Sequence, residues 1–151
     1  MKTIVVGYDA SDAAERALDR AAQLAEALSA RLVVVSVAAP PLPPAAPVLE
    51  PAGPMLPGGT APLSGPEPDP TEIAQQWLAQ ARSRLASRSV EADHVGKVGS
   101  PADELLAVAD ERDAELIVVG SGDHGLLERL VAPPVEEAVA RRAERDVLIV
   151  H

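Results

Sequence analysis

Glu115-Leu116-Ile117-Val118-Val119-Gly120 is the clearest buried strand of the chain: a branched aliphatic run too short for a helix and ended by glycine. An uninterrupted apolar run of this kind belongs to a strand covered on both faces, as in a parallel sheet under helices. Similar runs stand at Thr3-Ile4-Val5-Val6-Gly7, Arg31 to Val37, and Asp146-Val147-Leu148-Ile149-Val150. Val90 to Val98 is polar and alternating, which suits an edge strand.

Helical spacing fills the intervals. Ala14, Ala17, Leu18, Ala21, Leu24, Ala25 and Leu28 fall on one face, with Asp12 and Glu15 as a start signal. Asp69-Pro70-Thr71-Glu72 begins a second helix, whose Ile73, Trp77, Ala81 and Leu85 line up four residues apart. Ser100-Pro101-Ala102-Asp103 begins a third, with Leu105, Leu106 and Ala109 inward. The last helix runs from about Pro134 to Arg142. Five strands joined through four helices predict a single α/β domain over residues 1–151, a parallel sheet between helix layers. Such sheets hold ligands at the carboxyl ends of their strands, where strand order reverses. That places Asp9, Ser11, Val37, Gly99 and Gly120 to Gly125 in candidate positions.

Residues 39–70 interrupt the alternation. Twelve of fifteen prolines and four of ten glycines lie there, so neither helix nor inner strand can persist. The segment reads as a surface excursion within the domain, either a poorly ordered loop or a lid or partner-binding arm.

Composition narrows the function. The net charge of −10 disfavours nucleic acid and anionic membranes as partners. No signal peptide or spanning stretch is visible, and the expected location is the cytoplasm. The absence of cysteine excludes disulfides, thiolate catalysis and zinc–thiolate sites. Trp77 and Tyr8 are the only aromatic residues, which leaves little to stack against a base. His94, His124 and His151 have no metal-ligand spacing and read as solvated surface residues. There is no Gly-x-Ser-x-Gly elbow, Walker loop or dinucleotide fingerprint. A receiver domain would need an aspartate after the third strand, where Lys97-Val98-Gly99 stands.

Four segments in order resemble the universal stress protein family: Ile4-Val5-Val6-Gly7-Tyr8-Asp9-Ala10-Ser11, Gly99-Ser100-Pro101-Ala102, Leu116-Ile117-Val118-Val119-Gly120-Ser121 and Asp146-Val147-Leu148-Ile149-Val150. The resemblance covers nearly the whole chain, with 39–70 as the variable loop. It implies a three-layer α/β/α, Rossmann-like domain with five parallel strands in the order 3-2-1-4-5. It also implies a homodimer paired through strand 146–150, an edge too apolar to leave open.

ATP-binding members carry a loop of the form Gly-x-x-Gly, nine residues, then Gly-Ser or Gly-Thr, whose backbone amides and hydroxyl meet phosphate oxygens. Registered from Gly120, the second glycine is Asp123 and the closing pair is Pro133-Pro134. Registered from Gly122 and Gly125, the closing glycine is Val135. Each lost charge-assisted hydrogen bond is worth about 1.5–3 kcal/mol. The Asp123 carboxylate would cost up to about 4 kcal/mol against a phosphate 4 Å away. Micromolar affinity is only about 8 kcal/mol in all.

The resemblance implies that the nucleoside half of the pocket is retained, Gly7, Asp9, Val37 and Gly120 matching positions where ATP-binding members hold base and ribose; with Ser121 they are the candidate nucleotide-binding residues. Asp9 either accepts a hydrogen bond from a ligand or anchors the first turn; Ser11 reads as a helix-start residue rather than a ligand contact. No catalytic residue and no metal site is expected. The first expectation is a non-catalytic dimeric stress-response protein acting through partner contacts, without cofactor. The alternative is a sensor for ATP, AMP or cyclic AMP; an enzyme such as a slow ATPase ranks last.

Overall fold

A computed structural model describes residues 2–41, 66–122 and 133–151. Among these residues nine elements follow one another: β1 Thr3–Gly7, α1 Asp12–Leu28, β2 Arg31–Ala38, α2 Pro70–Leu85, β3 Ala92–Val98, α3 Pro101–Glu111, β4 Leu116–Gly120, α4 Val135–Arg142 and β5 Asp146–Val150. The strands form one sheet in the order β3-β2-β1-β4-β5, with every adjacent pair parallel. Strand order reverses beside β1: β2 and β3 extend to one side, β4 and β5 to the other. Most of segment 39–70, together with Asp123, His124 and Gly125, lies outside the described residues.

Successive strand residues point to opposite faces, so each valine run feeds two cores. Ile4, Val6, Leu32, Val34 and Val118 pack with α1 and α2. Val5, Val33, Val35, Ile117 and Val119 pack with α3 and α4. The buried face of α1 is Ala13, Ala14, Ala17, Leu18, Ala21, Ala22 and Ala25. Methyl groups keep the helix close to the sheet. Leu28 leaves that face at the last turn and is 51% exposed, contrary to the seven-residue stripe expected for this helix. The cap of α1 is Ser11 rather than Asp12: its Oγ accepts from the Ala14 amide at 3.2 Å.

Helix α2 starts as its sequence predicts, with the Asp69 carboxylate accepting from the Thr71 amide at 2.8 Å and Pro70 in the first turn. Its orientation differs from the prediction. The buried stripe is Ala74, Leu78, Ala81 and Leu85, while Ile73 and Trp77 are only half-buried beside it. Two stripes one residue apart share Ala81 and Leu85, so spacing alone did not separate them. Arg84 fastens α2 to α1: Nε and Nη2 donate to Asp19 at 3.0 and 2.7 Å, and Nη1 lies 3.3 Å from Glu15. The hydrogen bond from Arg84 holds the Asp19 carboxyl below its ordinary range. On the other side of the sheet, Arg145 reaches the carbonyls of Ala109 and Ala114 at 2.9 and 2.7 Å and pairs with Asp110.

Strand β3 takes its expected place at an edge, beginning at Ala92 rather than Val90. His94 is not the solvated histidine foreseen. Its Nε2 is buried without a hydrogen-bond partner, and burial, with Arg82 adding to it, pulls the imidazole pKa below 6.5; Asp93 and the Ala92 backbone oppose the shift. The depressed folded-state pKa means that the unfolded chain takes up the proton first. The stability contribution is therefore full above pH 6.5 and declines as pH falls from there through the folded value. Urea denaturation from pH 7.5 to 5.0 is expected to show this decline in the wild type and a smaller one in His94→Gln.

Candidate functional site

A cavity of about 300 Å³ opens at the carboxyl ends of β1, β2 and β4, beside the point where strand order reverses. The strands supply Gly7, Val35, Val37, Val119 and Gly120. The first turn of α1 supplies Ser11, Ala13 and Ala14, α3 supplies Pro101 and Leu105, and α4 supplies Val135 and Glu136. Tyr8 and Trp77 complete the wall on the side of α1 and α2. Four of the five predicted nucleotide residues, Gly7, Asp9, Val37 and Gly120, are thus brought together. Ser121 is not in the wall; its amide donates to the Val150 carbonyl at 2.8 Å and ties β4 to β5.

The turn after β1 is held by side chains. Asp9 Oδ1 accepts from the Ser11 amide at 3.0 Å and from the Ser11 hydroxyl at 2.5 Å, an Asx turn. Ala10 takes a left-handed backbone with φ 62° between them. The Tyr8 amide donates to Val35 O at 2.8 Å, and buried Ser36 donates its hydroxyl to Tyr8 O at 2.7 Å. Asp9 therefore does anchor the turn, through one oxygen. The second, Oδ2, stays available to accept from a ligand hydroxyl.

Gly120 serves packing. A Cβ there would meet Ala13 O at 2.4 Å and Ala13 C at 2.5 Å, both backbone atoms of α1. The helix can lie against the strand end only because this side chain is absent. At Gly7 an added Cβ would find Leu105 Cδ2 at 3.4 Å, an ordinary contact.

Electrostatics set what the cavity tolerates. Among its described lining residues the charged side chains are Asp9 and Glu136, both acidic. Helix α4 begins after Pro133-Pro134, with Pro134 as a cap that makes no side-chain hydrogen bond, and carries Glu136 and Glu137 in its first turn. The two prolines supply no amide, and two carboxylates occupy the positive end of the dipole, Glu137 with Arg141 2.7 Å away. Helix α3 is similar, with Asp103 and Glu104 in its first turn; Arg142 Nη1 donates to Asp103 at 2.5 Å and holds that carboxyl below its ordinary range. Burial, and next the Glu15 carboxylate, push the Tyr8 hydroxyl up, so it remains protonated. Among the described residues no group of three or more His, Asp or Glu side chains is placed to hold a metal ion. No described helix is long and apolar enough to cross a membrane.

Sequence reading passed over the two aromatic walls. A count of aromatics indicates their scarcity and carries no signal of where they stand.

Comparison with known proteins gives a consistent answer. The model of the universal stress protein family matches residues 1–151. Universal stress protein Rv1636 of Mycobacterium tuberculosis is 38% identical over 151 residues, spanning 99% of this chain and 96% of its own. The crystal structure of a universal stress protein in complex with cAMP superposes with a TM-score of 0.72 at 29% identity, covering 99% of this chain and 97% of that one. The Archaeoglobus fulgidus universal stress protein in complex with dAMP gives 0.66 at 25% identity, covering 100% and 98%.

Replacing Gly120 with alanine is expected to lower unfolding free energy by about 1–3 kcal/mol, the usual cost of overpacking. Gly7→Ala is expected to cost less. Urea titrations followed by far-UV circular dichroism give both values.

Proposed function

The chain belongs to the universal stress protein family, and on that premise we propose that it is a non-catalytic stress-response protein. Its cavity holds the adenosine part of a mononucleotide, cyclic AMP or AMP, and disfavours the triphosphate of ATP. The observation that carries this reading is the 300 Å³ cavity, apolar-walled, with Asp9 at the end of β1. It moves the nucleotide reading ahead of the ligand-free one. The volume lies at the small end of ligand pockets. Asp9 Oδ2 suits a ribose hydroxyl, and the relatives with cAMP and dAMP bound support a ligand of this size.

The phosphate side supports the lower charge. Cyclic AMP carries a single negative charge, whereas a triphosphate brings several toward Glu136 and the amide-free prolines of the α4 N-terminus. The described walls offer no cation to a transferring phosphoryl group and no histidine to act as general base, which favours binding without turnover.

Isothermal titration is expected to show cyclic AMP and AMP binding, with ATP at least about tenfold weaker, a difference of about 1.4 kcal/mol. Magnesium and ATP together are expected to yield no hydrolysis above buffer. ATP binding more tightly than cyclic AMP would overturn the mononucleotide reading. Failure of every nucleotide to bind would return the protein to action through partner contacts alone.

We also propose that two chains pair through β5. The strand stands at a sheet edge, and Val147, Leu148, Ile149 and Val150 are all only half-buried within one chain. Antiparallel pairing about a two-fold axis would cover them and complete the edge hydrogen bonds. Sedimentation equilibrium is expected to give a mass of two chains for the wild type and one for Ile149→Lys. A monomeric wild type would refute the pairing.

A further inference from the structure

Trp77 and Tyr8 are the only aromatic side chains in the chain, and both stand in the wall of the cavity. Tyr8 has a role in the fold: it is 3% exposed, and its backbone ties β1 to β2. Trp77 is placed differently, at the margin of the core. The stripe by which α2 meets the sheet is Ala74, Leu78, Ala81 and Leu85. Trp77 lies to one side of it, partly buried against the edge of that core. The largest side chain of the protein is therefore spent beside the core rather than within it, on the border of an apolar hollow. Indole is the surface that flat heterocycles rest on, and such stacking tolerates any base because each has a π face. Among the described wall residues the charged side chains are the acidic Asp9 and Glu136, which favours the uncharged part of the ligand as the source of affinity.

We propose that Trp77 is the base-stacking residue of this cavity, the wall against which the ligand's planar base is held. Affinity then comes from the nucleobase rather than from the phosphate, and adenosine itself is a full ligand. The inference rests on the mononucleotide reading and deepens it by naming the ligand class.

Full-length protein would be titrated calorimetrically with adenosine, cyclic AMP and ribose 5-phosphate, in parallel with the emission of Trp77, the single tryptophan. Adenosine is expected to bind within about threefold of cyclic AMP, in keeping with a base-borne affinity. Ribose 5-phosphate is expected not to bind, and Trp77 emission should change saturably with the calorimetric Kd. Trp77→Leu keeps apolar bulk without a π face and is expected to weaken adenosine about 5- to 150-fold; Trp77→Phe should recover most of the loss. Thermal unfolding of both variants checks that the fold is intact. Wild-type affinity in Trp77→Leu, or ribose 5-phosphate binding as tightly as adenosine, would overturn the role of Trp77 while leaving the mononucleotide reading in place. If adenosine, cyclic AMP and AMP all fail to bind the wild type, both readings fall together.

Discussion

The approach of the first turn of α1 to the end of β4 governs the rest of this structure. Ala13 backbone atoms come so near Gly120 that no side chain fits between them. This proximity is possible because the inward face of α1 is almost wholly alanine, and it draws the helix start down onto the sheet beside the reversal of strand order. The turn that leads there is short and constrained, with Ala10 in a left-handed backbone and Asp9 and Ser11 bonded to one another. A cavity follows from the same geometry. The chain leaves β1 and β4 toward opposite sides of the sheet, and the helix starts of α1, α3 and α4 surround the gap between them.

What fills that gap is decided by charge as much as by shape. Helix starts attract anions, and a family with this architecture can use them for phosphate. Here the starts carry their own carboxylates: Asp12 and Glu15 on α1, Asp103 and Glu104 on α3, Glu136 and Glu137 on α4. Three of them are paired in turn, Glu15 with Arg84, Asp103 with Arg142 and Glu137 with Arg141. Helix stability gains from acidic residues in the first turn.

The sheet was legible because fully covered parallel strands leave an unambiguous trace, runs such as Leu32 to Val35 and Ile117 to Val119 with no polar interruption. The family resemblance supplied the strand order. Helix phase was harder. In α2 an apolar Ile73 and Trp77 four residues apart imitate a core stripe, and only packing reveals that Ala74 and Leu78 hold it. At the site, strand-end residues were accessible to reasoning because fold topology dictates their location; Gly7, Asp9, Val37 and Gly120 all reach the cavity. Ser121 did not, since a backbone hydrogen bond to β5 claims it. Trp77 arrives from a helix remote from the strand ends in sequence, and no local pattern reports that convergence.

Both ends of the proline-rich connection between β2 and α2 are pinned. Ala38 accepts from the Gly99 amide at 3.0 Å, and Asp69 caps the next helix. Closing a chain between fixed ends becomes harder only as the logarithm of its length, about 0.6 kcal/mol for each doubling. On loop closure alone, a change in the number of residues between these anchors therefore carries only a small entropic penalty. The anchors themselves, a strand-end carbonyl and a helix cap, are set by local hydrogen bonds and do not depend on that number.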